Sequence, residues 1–427
     1  MKPYWLILGF IWTSTSLANL YSMDGQNYGT GGVGLVGATP MNGYIHNPAL
    51  NAAYQDDADD TFFYMSVGAQ VIDTTNTQEN IQIFSEKFDT SILEQTSANM
   101  DSTIEALRII DGQQPSSAVL GSVGLTFNHQ ALALSIFYQT KGFGFIYTDI
   151  SENDISFLKE TGDLFGYLVN ETDPIKQAQA ITDYQTQFGI LPQNFDNFSF
   201  RSNFTLSAVQ INEYGINFGT SLDDPKSRWL LGITIKKQEV ITFSYINTID
   251  DQFEFSNINN VRDISEYYDG ANVDVGFRYE LFEDLIYVAG TINNLFSGQY
   301  PLPLSNGYQA EYQIHPVMNV GIAYLSDLIN VEINAQVNPD QHFEGFKGYQ
   351  TSPMNDDTQI VNFGVEAHLL FWLKLRMGYF YDINHVIKER LTLGLGLSPF
   401  DLVHINVGLS YKDLTNLTAT TSVGISF

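Results

Sequence analysis

Apolar residues alternate with polar or small ones over much of the chain, the period of a strand whose side chains point in turn to its two faces. Val273, Val275, Phe277, Tyr279 and Leu281 interleave with Asp274, Gly276, Arg278 and Glu280. Ile329, Val331, Ile333, Ala335 and Val337 interleave with Asn330, Glu332, Asn334 and Gln336, and 361–369, 391–397 and 403–411 repeat the pattern. In the last segment Leu417, Ala419, Thr421, Val423, Ile425 and Phe427 share one face.

A soluble sandwich also alternates, so the spacing of turns decides between the two folds. Short turns read at Asn128–Gln130, Asn212–Glu213, Gln238–Glu239, Phe282–Asp284, Ser326–Leu328, Phe371–Trp372 and Pro399–Asp401. Between them lie the polar connections 73–117, 151–200, 223–228, 250–270, 296–308, 339–358, 384–389 and 413–415, most of them long. Short turns at one end and long loops at the other predict an all-β fold, a transmembrane antiparallel barrel of about 14–16 strands, with about 16 as the direct count.

Two segments leave the pattern. Residues 73–117 (Phe84, Phe88, Ile104, Leu107, Ile110) and 151–200 (Phe157, Leu158, Leu164, Phe165) carry helical, amphipathic spacing. They are expected to be two extracellular helical inserts, serving either as caps over the mouth or as a surface for a ligand or partner. At the other end Lys2, the apolar run Tyr4–Trp12 and Ser16-Leu17-Ala18 read as a signal peptide over 1–18, cleaved between Ala18 and Asn19. That run is too short to cross a bilayer as an anchor.

Residues 19–60 then form an N-terminal hatch or plug, and 61–427 the barrel. The run Gly29–Gly37 contains GxGxxG twice, with Asp56 downstream. A dinucleotide site needs a strand before that motif, a helix after it and a βαβ unit, and the sequence offers none. Dense glycine instead lets backbone pack closely inside a narrow lumen.

Composition supports this picture. Aromatic residues make 14% of the chain against 16% charged, with 34 Gly, a mixture that suits strands facing lipid. With 19 Lys+Arg against 48 Asp+Glu, the net charge of −29 leaves no basic footprint for direct nucleic-acid binding. The absence of cysteine excludes disulfides, thiolate metal sites and an N-terminal lipid on cysteine.

None of the 7 His makes HExxH, Asp56, Asp57, Asp59 and Asp60 lack EF-hand spacing, and no GxSxG elbow occurs. Neither an enzyme nor a cofactor or metal site is therefore expected. Asp274, Arg278, Glu280, Glu332, Glu366, His368, Arg376, Asp382, His404 and Lys412 should face the lumen, pairing with one another or filtering ions. Tyr138, Tyr245, Tyr324, Phe371, Trp372, Tyr379, Tyr381 and Tyr411 fit interfacial girdles.

Gly31, Gly32, Gly34 and Gly37, followed by Asn47-Pro48-Ala49-Leu50 and acidic residues before a strand, resemble the N-terminus of the TraF-like "conjugal transfer" outer-membrane family. That family is similar to FadL-type long-chain fatty-acid channels. The late segments Val320–Tyr324, Leu375–Tyr379 and Leu393–Phe400 resemble the same family. The resemblance implies a bacterial outer-membrane barrel, FadL-like with about 14 strands, and a small hatch to which Asn47, Pro48 and Ala49 belong. The C-terminal strand ending in Val423, Ile425 and Phe427 resembles the signal read by the barrel assembly machinery.

Expected partners are therefore outer-membrane lipid, that machinery, a hydrophobic small molecule to bind or pass, and an envelope protein. The competing function is a structural or assembly component of an envelope-spanning conjugation or secretion apparatus without transport activity. A thioredoxin-like protein with CxxC is excluded, since the chain has no Cys.

Overall fold

The structure is a computed structural model of the 427-residue chain. It describes residues 24–53, 60–72, 79–80, 82–84, 86–88, 96–113, 115–129, 132–191, 198–222, 228–248, 265–282, 285–303, 310–344, 357–413 and 416–427. The signal segment, the Ala18/Asn19 junction, and Asp56, Asp57 and Asp59 lie outside the described residues.

Fourteen antiparallel strands close into a barrel. They are β1 (Thr61–Ile72), β2 (Ser116–His129), β3 (Leu132–Asp149), β4 (Asn203–Ser221), β5 (Trp229–Thr248), β6 (Ser265–Phe282), β7 (Ile286–Asn293), β10 (Val317–Tyr324), β11 (Ile329–Gln336), β13 (Ile360–Leu370), β14 (Leu373–Asp382), β15 (Arg390–Leu397), β16 (Val403–Asp413) and β17 (Asn416–Ser426). The remaining strands, β8 (Gly298–Pro301), β9 (Glu311–Ile314) and β12 (Phe343–Glu344), form a separate three-stranded sheet.

The barrel closes where β1 pairs with β17, from Phe62↔Ser426 to Ile72↔Asn416. Thr61 and Phe427 exchange backbone bonds of 3.1 and 3.0 Å at that seam. Closure pairs the backbone groups that a bilayer could not satisfy. Alternation then sorts the side chains: Leu391, Leu393, Leu395, Val407 and Leu409 are exposed on the outer face, while Thr392, Ser410 and Thr420 are buried inside.

The direct count of about 16 strands is corrected to 14. Asn212–Glu213 and Gln238–Glu239 are not turns; they lie in the middle of β4 and β5, paired Asn212↔Glu239 and Glu213↔Gln238. β4 and β5 are joined through 222–228, at the same end as the connections β2–β3 and β6–β7, so 223–228 does not belong to the long-loop end.

The physical reason for the misreading lies in the wall. β3, β4, β5 and β6 are 18, 19, 20 and 18 residues long, against 8 each for β7, β10 and β11. Ten more residues add roughly 30 Å of strand. The outer apolar band stops partway up this wall: above Ile233 and Ile235, Lys237 bonds Asp269 at 2.9 Å and Glu239 at 3.1 Å in the open. At that level both faces turn polar, which in sequence looks like a loop.

The segments that break the alternation carry helices α3 (Ser97–Ile110), α4 (Glu152–Asn170) and α5 (Pro174–Phe188). Their apolar faces meet in one cluster that includes Phe84, Phe88, Met100, Leu107, Phe157 and Leu158, together with Phe200 and Phe204 at the start of β4. Asp154 ties α4 to that strand, accepting from Arg201 N (2.9 Å), Ser202 N (2.6 Å) and Ser202 Oγ (2.5 Å). Loss of such charged hydrogen bonds costs about 2–3 kcal/mol. Asp154→Ala is therefore expected to speed limited proteolysis within 151–202 while the heat-modifiable gel mobility of the barrel stays unchanged; equal rates in both chains would contradict the anchor.

Candidate functional site: the barrel lumen

Residues 24–53 lie inside the barrel. They form α1 (Gly25–Tyr28), α2 (Gly43–His46) and a 3-10 turn, Pro48–Ala52, none long enough to hold itself together. The wall supplies the hold. Glycines of neighbouring strands face inward in one belt, with the pairs Gly219↔Gly232, Gly232↔Gly276 and Gly364↔Gly378 side by side in the ladder. A Cβ on Gly378 would stand 2.0 Å from Gly31 N, and one on Gly232 would stand 2.2 Å from Pro48 C. The segment thus lies backbone against backbone on its seat, an approach that only glycine permits.

Asn47 caps the 3-10 turn through Ala49 N (3.0 Å) while its amide donates to Leu35 O (2.9 Å) and to Phe277 O of β6 (3.1 Å). Asn51 donates to Ser135 and, at 2.6 Å, to Asn217. Gly31, Gly32 and Gly34 have φ of +77°, +82° and +150°, and they turn the amides of Gly34, Val36 and Gly37 onto the Glu332 carboxylate at 3.0, 2.9 and 3.0 Å.

Asp24 caps α1, pairs with His46 and accepts from Tyr64 Oη at 2.8 Å. Burial alone would push its carboxyl up, but His46, Tyr64 and the Asn27 amide together hold it below the ordinary carboxylate value. The seven residues singled out from sequence, Gly31, Gly32, Gly34, Gly37, Asn47, Pro48 and Ala49, all sit in this segment. Val423 and Ile425 sit in the closing strand β17, and Phe427 follows it, exposed.

Midway up the tall wall the lumen holds a buried ionic layer. Lys141 Nζ is 2.7 Å from Glu213, and Lys236 Nζ is 3.0 Å from Glu213 and 2.9 Å from Asp274. Gln238 donates to Glu213 at 2.8 Å, and Asp274 accepts from Asn294 N at 2.7 Å. Of these, sequence reasoning placed only Asp274 in the lumen. The strand-breaking reading of Asn212–Glu213 and Gln238–Glu239 hid Glu213 and Lys236, although a polar pair inside a long apolar run was the available signal.

Above the ionic layer the lumen becomes apolar. On β3 the inward positions pass from Ser135, Phe137, Gln139 and Lys141 to Phe143, Phe145 and Tyr147. Leu120, Val209, Ile211 and Val240 join them, and the β8–β9–β12 sheet covers them with Tyr300, Tyr312 and Phe343. Phe343 meets Phe145 edge-on at 4.9 Å and Phe143 at 5.5 Å. Tyr28 of the luminal segment touches the same cluster and bonds Ser410 at 2.8 Å.

On the low side, Glu366 binds Arg376 Nε at 2.6 Å and His368 at 2.7 Å, the mutual pairing expected of these residues. Asp382 instead accepts four backbone amides, those of Gln359, Asn384, Val386 and Ile387, and orders the following turn. His404 bonds Ser398 at 3.0 Å.

Solved structures share this architecture. The toluene transporter TbuX of Ralstonia pickettii is similar at a TM-score of 0.53 and 13% identity, covering 96% of this chain and 99% of that one. The deltaS2S3 mutant of TodX, a monoaromatic hydrocarbon channel of Pseudomonas putida, is similar at a TM-score of 0.52 and 12% identity, covering 97% and 99%. At such identities the likeness concerns the fold alone. Among curated proteins no sequence match was found. The family described as "F plasmid transfer operon, TraF, protein" matches residues 44–334, well over half of the chain, from the luminal segment into β11, and the protein belongs to that family.

Proposed function

We propose that the protein is a gated channel of the bacterial outer membrane that binds and passes small hydrophobic molecules, with residues 24–53 as its hatch. The observation that carries this reading is the apolar cluster buried in the lumen. Inward-facing Phe143, Phe145, Leu120, Val209, Ile211 and Val240 line a stretch of lumen where a water-filled pore would place polar side chains. The β8–β9–β12 sheet would move aside to admit the ligand from the long-loop end, and the hatch would open the other end. The structural neighbours, a toluene transporter and a monoaromatic hydrocarbon channel, agree with such a ligand. Outer-membrane lipid meets the apolar belt, and the terminal strand with Val423, Ile425 and Phe427 is where the assembly machinery would engage.

Equilibrium dialysis of the detergent-solubilised barrel against radiolabelled naphthalene, with empty micelles subtracted, is expected to show saturable binding. Phe143→Asp should weaken it at least about tenfold, the ratio that about 1.4 kcal/mol supplies, in a chain that keeps its heat-modifiable mobility. No saturable binding to the parent would refute the reading.

One feature favours a second reading, a sealed structural barrel within an envelope-spanning apparatus. The β2–β3 ladder runs unbroken from His129↔Leu132 to Ser116↔Phe145, and the β3–β4 ladder from Leu132↔Thr220 to Asp149↔Asn203. These ladders leave no gap beside β3, and the ionic layer ties β3 to β6 on the luminal side. On that reading the apolar cluster is only a core, and the dialysis shows nothing above empty micelles.

A further inference from the structure

The glycine-rich turn is already an anion site, and its occupant belongs to the chain itself. Three amides, those of Gly34, Val36 and Gly37, converge on the two oxygens of Glu332, which is 5% exposed. Successive amides turned inward by left-handed glycines make a concavity selective for anions. A Cβ on Gly34 would stand 1.6 Å from Asn27 Nδ2, so no other residue fits that turn.

Two other buried carboxylates of the wall, Glu213 and Glu366, are matched by lysine or arginine of neighbouring strands, and Asp382 is held by backbone amides of the 357–387 region. Among the described residues no Lys or Arg forms a salt bridge with Glu332. Its charge is balanced instead by a segment some 295 residues away in sequence. Arg278 of β6 lies within electrostatic reach of Glu332 without forming a salt bridge, whereas three hydrogen bonds come from the segment's amides, so the carboxylate pulls the segment onto β11: losing those amides would strip a buried carboxylate of three donors. A small cavity of about 40 Å³ lies beside it, lined by Asn330, Gly34, Gly37, Glu366 and Arg376. A space of that size admits water.

We propose that the Gly34–Gly37 backbone is a carboxylate-binding nest, that Glu332 is the latch seated in it, and that a free small carboxylate can take the place of Glu332 when the side chain is removed. Truncation at Cβ leaves a void that matches acetate: a methyl carbon and a carboxylate facing the three amides. The latch holds the segment whatever the barrel carries.

The absence of cysteine makes the test direct, since one reporter reads the segment alone. Leu35, buried between the turn and β7, is replaced in Leu35→Cys, and its labelling by a membrane-impermeant maleimide is timed in the full-length barrel. Adding Glu332→Ala is expected to raise the rate at least about tenfold, equivalent to about 1.4 kcal/mol. Sodium acetate should return the rate toward the parent value, and sodium chloride at equal ionic strength should not. Glu332→Gln, which keeps one acceptor and the shape, should fall between and serves if the alanine variant does not fold. An unchanged labelling rate in Glu332→Ala or Glu332→Gln would overturn the latch, and equal rescue by chloride and acetate would overturn the carboxylate nest.

Discussion

Gly232→Val is expected to unseat the luminal segment while leaving the barrel closed. A Cβ at this position would lie 2.2 Å from Pro48 C and 2.3 Å from both Ala49 N and Pro48 O. These are backbone atoms, so no rotamer change can relieve the clash. On one side Gly232 is bound into a ladder with Gly219 and Gly276, and on the other it meets a five-residue 3-10 turn. A closed ladder resists displacement cooperatively, whereas the turn depends on a few contacts, and so the turn yields.

Its yielding takes the Asn51 bonds to Ser135 and Asn217 and the Asn47 bond to Phe277 O with it. Overpacking of this kind costs about 1–3 kcal/mol before those bonds are counted. Protease added from the short-turn side should cut between residues 24 and 53 in Gly232→Val and spare the parent. As the control, Gly121→Ala lies on the outward-facing set of β2, with Thr140 Cγ2 at 3.3 Å its nearest contact, and should leave the segment protected. If Gly232→Val stayed as protected as the control, the glycine belt would not be the seat.

The same belt shows what alternation conveys and what it hides. A two-residue period fixes which residues share a face, so the outer set at 391–397 and 403–411 was legible from sequence, as was a barrel fold ending in an alternating strand. The period says nothing about which glycines on the inner face carry contacts, because a glycine that receives another backbone looks the same in sequence as one that only tolerates a turn. Strand length was hidden for a related reason. Where the tall wall leaves the apolar band, Asn212 and Glu239 on the outside and Glu213 and Gln238 on the inside are all polar, and the period vanishes although the strands continue. Glu332 was legible as luminal from its place in the alternation, but its role was not, since the three amides it binds belong to a turn almost 300 residues earlier.

Replacing Lys236 by Met should be among the costliest single changes in the wall. Its ammonium is 3% exposed and lies 3.0 Å from Glu213 and 2.9 Å from Asp274, so its removal leaves both carboxylates buried with fewer partners. Lys141 still holds Glu213 at 2.7 Å and keeps electrostatic reach to Asp274, but Asp274 loses the salt bridge at 2.9 Å and keeps the hydrogen bond from Asn294 N. Breaking one side of a buried pair costs about 3–5 kcal/mol, most of it the stranded charge rather than the lost attraction.

That origin makes a sharper test possible. Lys236→Met combined with Asp274→Asn removes the stranded charge together with its partner, so the double variant should lose less than the sum of the two single losses, by about 1–3 kcal/mol. Lys237→Met, one residue along and on the other face, breaks a half-exposed network with Asp269 and Glu239 and should cost less than about 1 kcal/mol. Salt should erode the Lys237 contribution and spare that of Lys236, because mobile ions screen the open face and cannot enter the bore. Urea midpoints of gel mobility, taken at low and high ionic strength, read all four chains; additive losses at Lys236 and Asp274, or equal losses at Lys236 and Lys237, would mean that the layer is solvated and that the bore is open at its height.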